Sequence, residues 1–358
     1  MAKRLDGLPL ALATAGAYLC QVGTSFARYL QLYEESWLKL QQKTPFLDSY
    51  DRALYSTWQL SYTHIAQQNP LSAKLLQLWA YFDNQDVWFE LLHEGGGSDD
   101  RVSWFSELVE GELSFTAAAR VICNHGLIEV DQALEQESTE SRGYSMHSCV
   151  HSWAIHVLNR EWNVDMARLA LTTVAEHIPD KGSQCYWATQ RRLVRHTARC
   201  WSFVVDGGVS EDGLAWALGT FGNLYSDQGK MDEAEKMYQR ALQGKEKAWG
   251  PEHTSTLDTV NNLGNLYKDQ GKMDEAEKMY QRALQGYEKA LGPKLVSTYI
   301  PALNTAQNLA ILYAAVGRTD EAIEMYSRTL RGLKSVLGGS SRRCEDIVAA
   351  LAALEARC

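Results

Sequence analysis

Nowhere in its 358 residues does the chain hold an uninterrupted apolar run of the roughly 18 residues that a membrane-spanning helix needs. Cysteine is sparse and unpatterned. The seven residues are odd in number and include no C-x-x-C pair, which argues against a disulfide framework and points to reduced thiols in a cytoplasmic setting. A phosphate-binding loop would need G-x-x-x-x-G-K-[ST]; Gly-Lys occurs at 229–230, 244–245 and 271–272, but Met231, Glu246 and Met273 follow. No H-E-x-x-H, nucleophile elbow or Cys/His zinc spacing is present. The expectation is a chain with no catalytic residues, no metal site and no cofactor. Positive charge is also short. Lys and Arg total 35 against 44 Asp and Glu, a net charge of −9 that disfavours nucleic-acid and anionic-membrane partners.

What is present is repetition. Residues 223–251 (NLYSDQGKMDEAEKMYQRALQGKEKAWGP) recur at 265–293, 42 positions on, with changes only at Ser226/Lys268, Lys245/Tyr287 and Trp249/Leu291. A looser copy covers 308–338, its Gly317 lying 46 positions after Gly271. Self-similarity at such a period marks stacked units that bury a face against their neighbours. Val260, Leu263, Gly264 and Tyr267 form one helical face, and Gly271 can end that helix at positive φ. Asp274 and Glu277 have capping-box spacing for the next helix, whose stripe is Ala276, Met279, Tyr280, Ala283, Leu284 and Tyr287. Gly292 and Pro293 stop it. Each unit reads as a helical hairpin.

Leu263-Gly264-x-x-Tyr267 followed by Ala276, Tyr280 and Ala283 resembles the tetratricopeptide repeat. Val260 stands where an aromatic is usual, and the 42-residue unit with its long second helix looks like the kinesin-light-chain type. The resemblance implies a helical solenoid whose first helices line a concave face. On that face the register places Asp258, Asn261, Asn265 and Lys268, with Asn223 and Ser226 in the first copy and Gln307 in the third. Amides there can both donate to and accept from an extended backbone, so the expected partner is a peptide or protein segment.

The N-terminal half carries other resemblances. Lys3 and Arg4 before the apolar Leu8–Cys20 run could pass for a signal peptide, but Asp6 interrupts the basic flank. LDGLPLALATAGAYL at 5–19 instead resembles the ARC region of NB-ARC-type NTPases. Its leucine face, cut off from a nucleotide module, would favour self-association. Pro70 opens a helix, Trp88–Leu92 a short one and Phe115–His125 another; Leu127–Val130 and Gly143–Met146 read as strands flanking an acidic loop. Helices before a small hairpin suggest a winged helix. Between 84 and 150 stand thirteen acidic residues against Arg101, Arg120 and Arg142, so duplex DNA would be repelled. Tyr144-Ser-Met146-His147-Ser148 resembles the MHD motif of those NTPases, which makes His147 a vestigial nucleotide-sensor candidate, though Ser148 replaces the family's Asp; the alternative is that His147 ends a strand and hydrogen-bonds locally. The wording of 144–158 is similar to fungal NLR-type proteins that join NB-ARC to tetratricopeptide repeats.

Two helix-length stretches, Trp153–Ile178 and Gln184–Val205, then form a bridge, with Arg191, Arg192, Arg195 and Arg199 as a solvated basic face. Gly338 starts a hinge, and Ile347, Val348, Leu351 and Leu354 form the inner face of a terminal helix. The expected architecture is mostly all-α: an ARC-like segment (1–66), a winged-helix-like domain (67–152), a bridge (153–208), three repeats (209–338) and a capping helix (339–358). The function this implies is a non-catalytic interaction module, a truncated NLR-type sensor or scaffold. The alternative is the C-terminal part of an NTP-dependent switch.

Overall fold

Hairpins of α-helix make up nearly all of the molecule. The computed structural model describes residues 8–43, 49–94, 102–131, 141–183 and 185–356. The N-terminal Lys3/Arg4 flank, the Gly95–Gly97 loop and the acidic loop over 132–140 lie outside these residues. The chain divides into two compact units, Met1–Ser210 and Glu211–Cys358.

In the first unit, α1 (Pro9–Val22) ends at Gly23, whose φ of +63° lets the chain turn into α2 (Phe26–Lys43). Ala11, Thr14, Ala15 and Tyr18 of α1 are buried, while Leu10, Leu12 and Leu19 are half-buried. Tyr29 of α2 shares a 3.1 Å hydrogen bond with Thr57 of α3 (Ser49–Gln68). Pro70 opens α4 (Pro70–Trp79) after Asn69, whose Oδ1 accepts from the Ser72 amide at 3.0 Å. Helices α5 (Phe89–Glu94), α6 (Ser103–Leu108) and α7 (Glu112–Asn124) precede a hairpin of two short strands, β1 (Glu129–Val130) and β2 (Tyr144–Ser145). The strands are shorter than the sequence suggests, and α6 was not anticipated. Val87 adds an antiparallel bridge to Tyr144, so the hairpin is held from a second side.

The bridge region departs from expectation. Instead of one helix over Trp153–Ile178 there is α8 (Ser148–Trp153), a π-helical turn over Ala154–Leu158, a break, and α9 (Val164–Glu176). The break has a local cause: Asn159 closes the π-turn with its own N–H and side-chain amide, both donating to the Ala154 carbonyl at 3.0 and 2.9 Å. Asn163 then caps α9.

Helix α10 (Tyr186–Val205) corrects the reading of its arginines. Only Arg191 and Arg195 are solvated; Arg192 and Arg199 turn inward. Arg192 is buried, donates through Nε and Nη2 to both carboxylate oxygens of Asp86 at 2.8 Å, and lies 3.8 Å from the Trp88 ring centroid. Arg195 donates to Gln85 and Arg199 to the Ala80 carbonyl; Arg191 is exposed beside Trp187. The inner stripe is Leu193, His196, Cys200, Phe203 and Val204, whereas Ala198 faces water. His196 accepts the Asp83 N–H at Nδ1 and donates from Nε2 to the Asp86 carbonyl, a pattern that only the neutral ring can satisfy. Asp86 has φ of +57°, and three side chains of α10, Arg192, Arg195 and His196, hold the short loop over residues 83–86 in this uncommon backbone conformation.

This packing carries a pH dependence. Burial pushes the pKa of His125, His151 and His196 below the usual 6.5. A base with a lowered folded pKa takes up its proton more readily when unfolded. The stability it contributes is therefore complete above about pH 6.5 and is lost as pH falls below that value. The urea midpoint of the chain is expected to drop between pH 7.5 and 5.5; a constant midpoint would contradict the neutral assignment.

The second unit stacks three hairpins: α11 (Ala215–Asp227) with α12 (Met231–Trp249), α13 (Thr254–Asp269) with α14 (Met273–Val296), and α15 (Ile300–Ala315) with α16 (Thr319–Leu337). Helix α17 (Arg342–Glu355) packs on α16. The fold is mostly all-α and ends in a repeat solenoid. Within each of the first two hairpins a glycine allows close approach. A Cβ on Gly264 would stand 2.6 Å from the Tyr280 ring, and one on Gly222 2.7 Å from Tyr238. Gly271, at φ +78°, ends α13. Helix α14 breaks at Gly292, as Gly292-Pro293 suggested, then runs on to Val296.

Two expectations fail here. The capping box at Asp274 does not form: Lys272 is the N-cap and no side chain caps α14. Glu277 turns instead to the next hairpin, accepting from Tyr313 at 3.1 Å and from Arg318 at 2.7 Å. A link between repeats has displaced a link within the helix. On α17, Ile347 and Leu354 are buried and Leu351 is half-buried, but Val348 is 47% exposed and does not belong to the inner face.

Candidate partner-binding face of the repeats

The first helices of the hairpins, α11, α13 and α15, carry the anticipated row. Asn223, Ser226, Asp258, Asn261, Asn265, Lys268 and Gln307 are all half-buried. Their neighbours Leu224, Val260, Leu263, Leu266 and Leu309 are buried, which fixes the rotation of each helix.

The row is hydrogen-bonded along the stack. The Tyr238 hydroxyl donates to Asn223 Oδ1, and 42 residues on Tyr280 donates to Asn265 Oδ1, both at 2.7 Å. Neighbouring repeats then join in. Asn262 Nδ2 donates to Asn223 Oδ1 at 3.3 Å, and Asn308 Nδ2 donates to the Oδ1 atoms of Asn261 and Asn265 at 3.1 and 3.0 Å. Asn223, Asn261 and Asn265 therefore set the stacking register with their carbonyl oxygens. Asn262 and Asn308 were missed from the sequence, although they occupy equivalent positions 46 apart.

Two further ladders tie the hairpins. Glu235 accepts from Tyr267, Gln270 and Lys272, as Glu277 does from Tyr313 and Arg318 one repeat later. On the second helices Arg282 pairs with Glu246, and Arg328 with Glu288 at 2.6 Å. In the third copy Ile323 packs against the core that includes α17 residues.

Asp258 and Lys268 differ from the amides. Tyr287 donates to Asp258 Oδ1 at 2.5 Å, and burial together with this carboxylate drives the phenol pKa up. At the same register in the first copy stands Lys245, buried, donating to the Ser255 carbonyl at 3.1 Å and Thr259 Oγ1 at 2.9 Å; burial lowers its pKa. Lys268 contacts its neighbour Asp269, at 3.5 Å. Gln307 and Asn304 accept from one nitrogen of Arg343, at 3.0 and 2.7 Å. His147, far along the sequence from this row, is exposed and caps α8 by accepting the Cys149 N–H.

The family model for the tetratricopeptide repeat matches residues 213–289 and 261–335. Residues 213–335 are tetratricopeptide repeats. A protein of Hyaloscypha variabilis, described as nucleotide-binding leucine-rich repeat (NLR)-like, is 27% identical over 282 residues, 73% of this chain and 25% of the relative. The chain thus spans about a quarter of that relative's length. Among solved structures, BtubC (BKLC) from P. vanneervenii is 19% identical with a TM-score of 0.39, covering 53% of this chain and 72% of that one. A Podosopora anserina structure of kinesin-light-chain type, with nearly identical TPR-like repeats, is 16% identical with a TM-score of 0.39; coverage is 53% and 96%. The family match and the relative support an NLR-type protein with tetratricopeptide repeats. Such repeats generally mediate contacts between proteins, and this array is a repeat-based interaction module. No single helix among the described residues is long and apolar enough to cross a membrane.

Proposed function

We propose that the row on α11, α13 and α15 holds an extended segment of a partner protein. The observation that carries this reading is that α11, α13 and α15 all present half-buried polar groups on the side away from their buried residues: Asn223 and Ser226, then Asp258, Asn261, Asn265 and Lys268, then Gln307. The carbonyl oxygens of Asn223 and Asn265 face the stack, which leaves their Nδ2 donors for a partner's backbone carbonyls. Amide donors on successive first helices suit a peptide in extended form. Replacing the asparagines would confound a test, because they also hold the repeats in register.

Ser226 and Lys268 are not among the side chains that tie one hairpin to the next, and they are the better probes. A pool of random ten-residue peptides is expected to yield binders whose affinity falls at least tenfold in a Ser226→Arg, Lys268→Glu variant of the full chain, with the melting temperature unchanged. Equal affinity in the variant would remove the row as the binding face.

The Hyaloscypha variabilis relative, nucleotide-binding by its description, favours a second reading: an NTP-dependent switch of which this chain is a C-terminal part. There residues 67–152 would be the winged-helix-like element, His147 the residue facing phosphate, and the half-buried leucines of α1 a surface for self-association. Sequencing the transcript for an in-frame G-x-x-x-x-G-K-[ST] ahead of Met1 tests it.

A further inference from the structure

Arg343 comes from the terminal helix, outside the repeats, yet it reaches the row. Its Nη2 donates to Asn304 Oδ1 at 2.7 Å and to Gln307 Oε1 at 3.0 Å. Counting back 46 residues, Asn304 and Gln307 stand where the second copy has Asp258 and Asn261. A side chain of α17 thus lies on the third copy's share of the candidate face.

The environment of this guanidinium is unusual in one respect. The other arginines that reach between helices of the array meet carboxylates: Arg282 has Glu246, Arg328 has Glu288, and Arg318 has Glu277. Lys272 likewise has Glu235. Lys245, which meets neutral oxygens, is buried. Arg343 is half-buried, and among the described residues no carboxylate lies within ion-pair distance of it. Glu345 and Asp346 share its helix but are exposed and form no pair with it. Two neutral oxygens take both hydrogens of Nη2 and orient the group, leaving Nε–H and Nη1–H, which point to different sides, as single donors for a further acceptor. A guanidinium held in that way, with its charge uncompensated, is pre-organised for a charge-assisted hydrogen bond to a carboxylate.

We propose that Arg343 is a specificity-determining residue of the repeat face, binding an acidic side chain of the partner segment at the α17 end of the row. The proposal rests on the reading that the row holds a peptide, and adds the charge and the end at which it is recognised. The position of the other charges gives the direction. Asp258, one repeat away, is an acid whose Oδ1 is already occupied by Tyr287, so it repels a second carboxylate there. This disfavours the ligand's acid beside Asp258 and favours the third copy, while the second copy's cation, Lys268, already has Asp269 at 3.5 Å. Lysine at 343 would keep the charge and lose the planar group that Asn304 and Gln307 orient.

Two pools of random ten-residue peptides, both amidated at the C-terminus, separate the possibilities. One contains Asp and Glu at the randomised positions, the other Asn and Gln instead. Wild-type full chain is expected to bind the acidic pool at least tenfold more tightly at low salt, with the preference shrinking as ionic strength rises. Arg343→Gln is expected to abolish the preference while keeping the affinity for the neutral pool; Arg343→Lys should retain part of it. Neutral-pool affinity and an unchanged melting temperature show that the variants remain folded. A neutral pool bound as well as the acidic one, or a preference that survives Arg343→Gln, overturns the assignment while leaving the peptide face standing. Binding of neither pool overturns both. If the preference appears only with a free C-terminus, the group recognised is the chain end and the side-chain assignment fails.

Discussion

Arg192→Ala is expected to destabilise the Met1–Ser210 unit by about 3–5 kcal/mol, the cost of breaking a buried ion pair from one side. The pair is well inside, with side-chain exposures of 4% for Arg192 and 16% for Asp86. Removing the guanidinium leaves a largely buried carboxylate facing the space it vacated, and uncovers the Trp88 ring on which it lay. The loss falls on a loop that also bridges Val87 to Tyr144, so the hairpin should loosen with it. The pair itself is not worth that much. A double variant, Arg192→Met with Asp86→Asn, should recover much of the loss, because no charge remains buried and Asn tolerates the +57° backbone. Chemical denaturation of the three chains decides it. A single-variant loss below about 1 kcal/mol, the level of an exposed pair, would mean that water reaches Asp86.

The second large effect concerns Gly264. In an exposed helix, replacing glycine with alanine stabilises by up to about 1 kcal/mol. Here the sign should reverse. The added Cβ would lie 2.6 and 2.7 Å from two carbons of the Tyr280 ring, which is buried and tethered through its hydroxyl to Asn265. The ring cannot swing aside without breaking that bond and crowding Ala276 and Ala283, so the hairpin must spread. Gly264→Val is expected to cost about 3 kcal/mol, at the upper end for overpacking, and Gly264→Ala less. Thermal melting of the full chain reads both. Pairing Gly264→Ala with Tyr280→Leu should return part of the loss, since a flexible side chain replaces the flat ring. If Gly264→Ala raises the melting temperature, helix propensity outweighs packing and the close approach is wider than described.

The array and the register of its candidate face were legible in the sequence because they are local properties repeated. Leu263-Gly264-x-x-Tyr267 and Ala276-x-x-x-Tyr280-x-x-Ala283 state which face of each helix is apolar and where it is narrow, and the copies state it again in phase. Once Val260, Leu263 and Gly264 face inward, helical geometry leaves Asn261, Asn265 and Lys268 on another side without further information. What those residues touch was not legible. Glu277 has the right spacing for a capping box, yet it spans to Tyr313 and Arg318, 36 and 41 residues away. Arg192 looks like one of four solvated cations until Asp86, 106 residues earlier, is brought against it. Arg343 gives no signal at all before α17 folds over Asn304 and Gln307. A side chain's period along a helix is set by the backbone, and so can be counted from the sequence. Its partner across the fold is set by which helices pack together, and a polar group takes whichever acceptor that packing delivers, which only the tertiary structure decides.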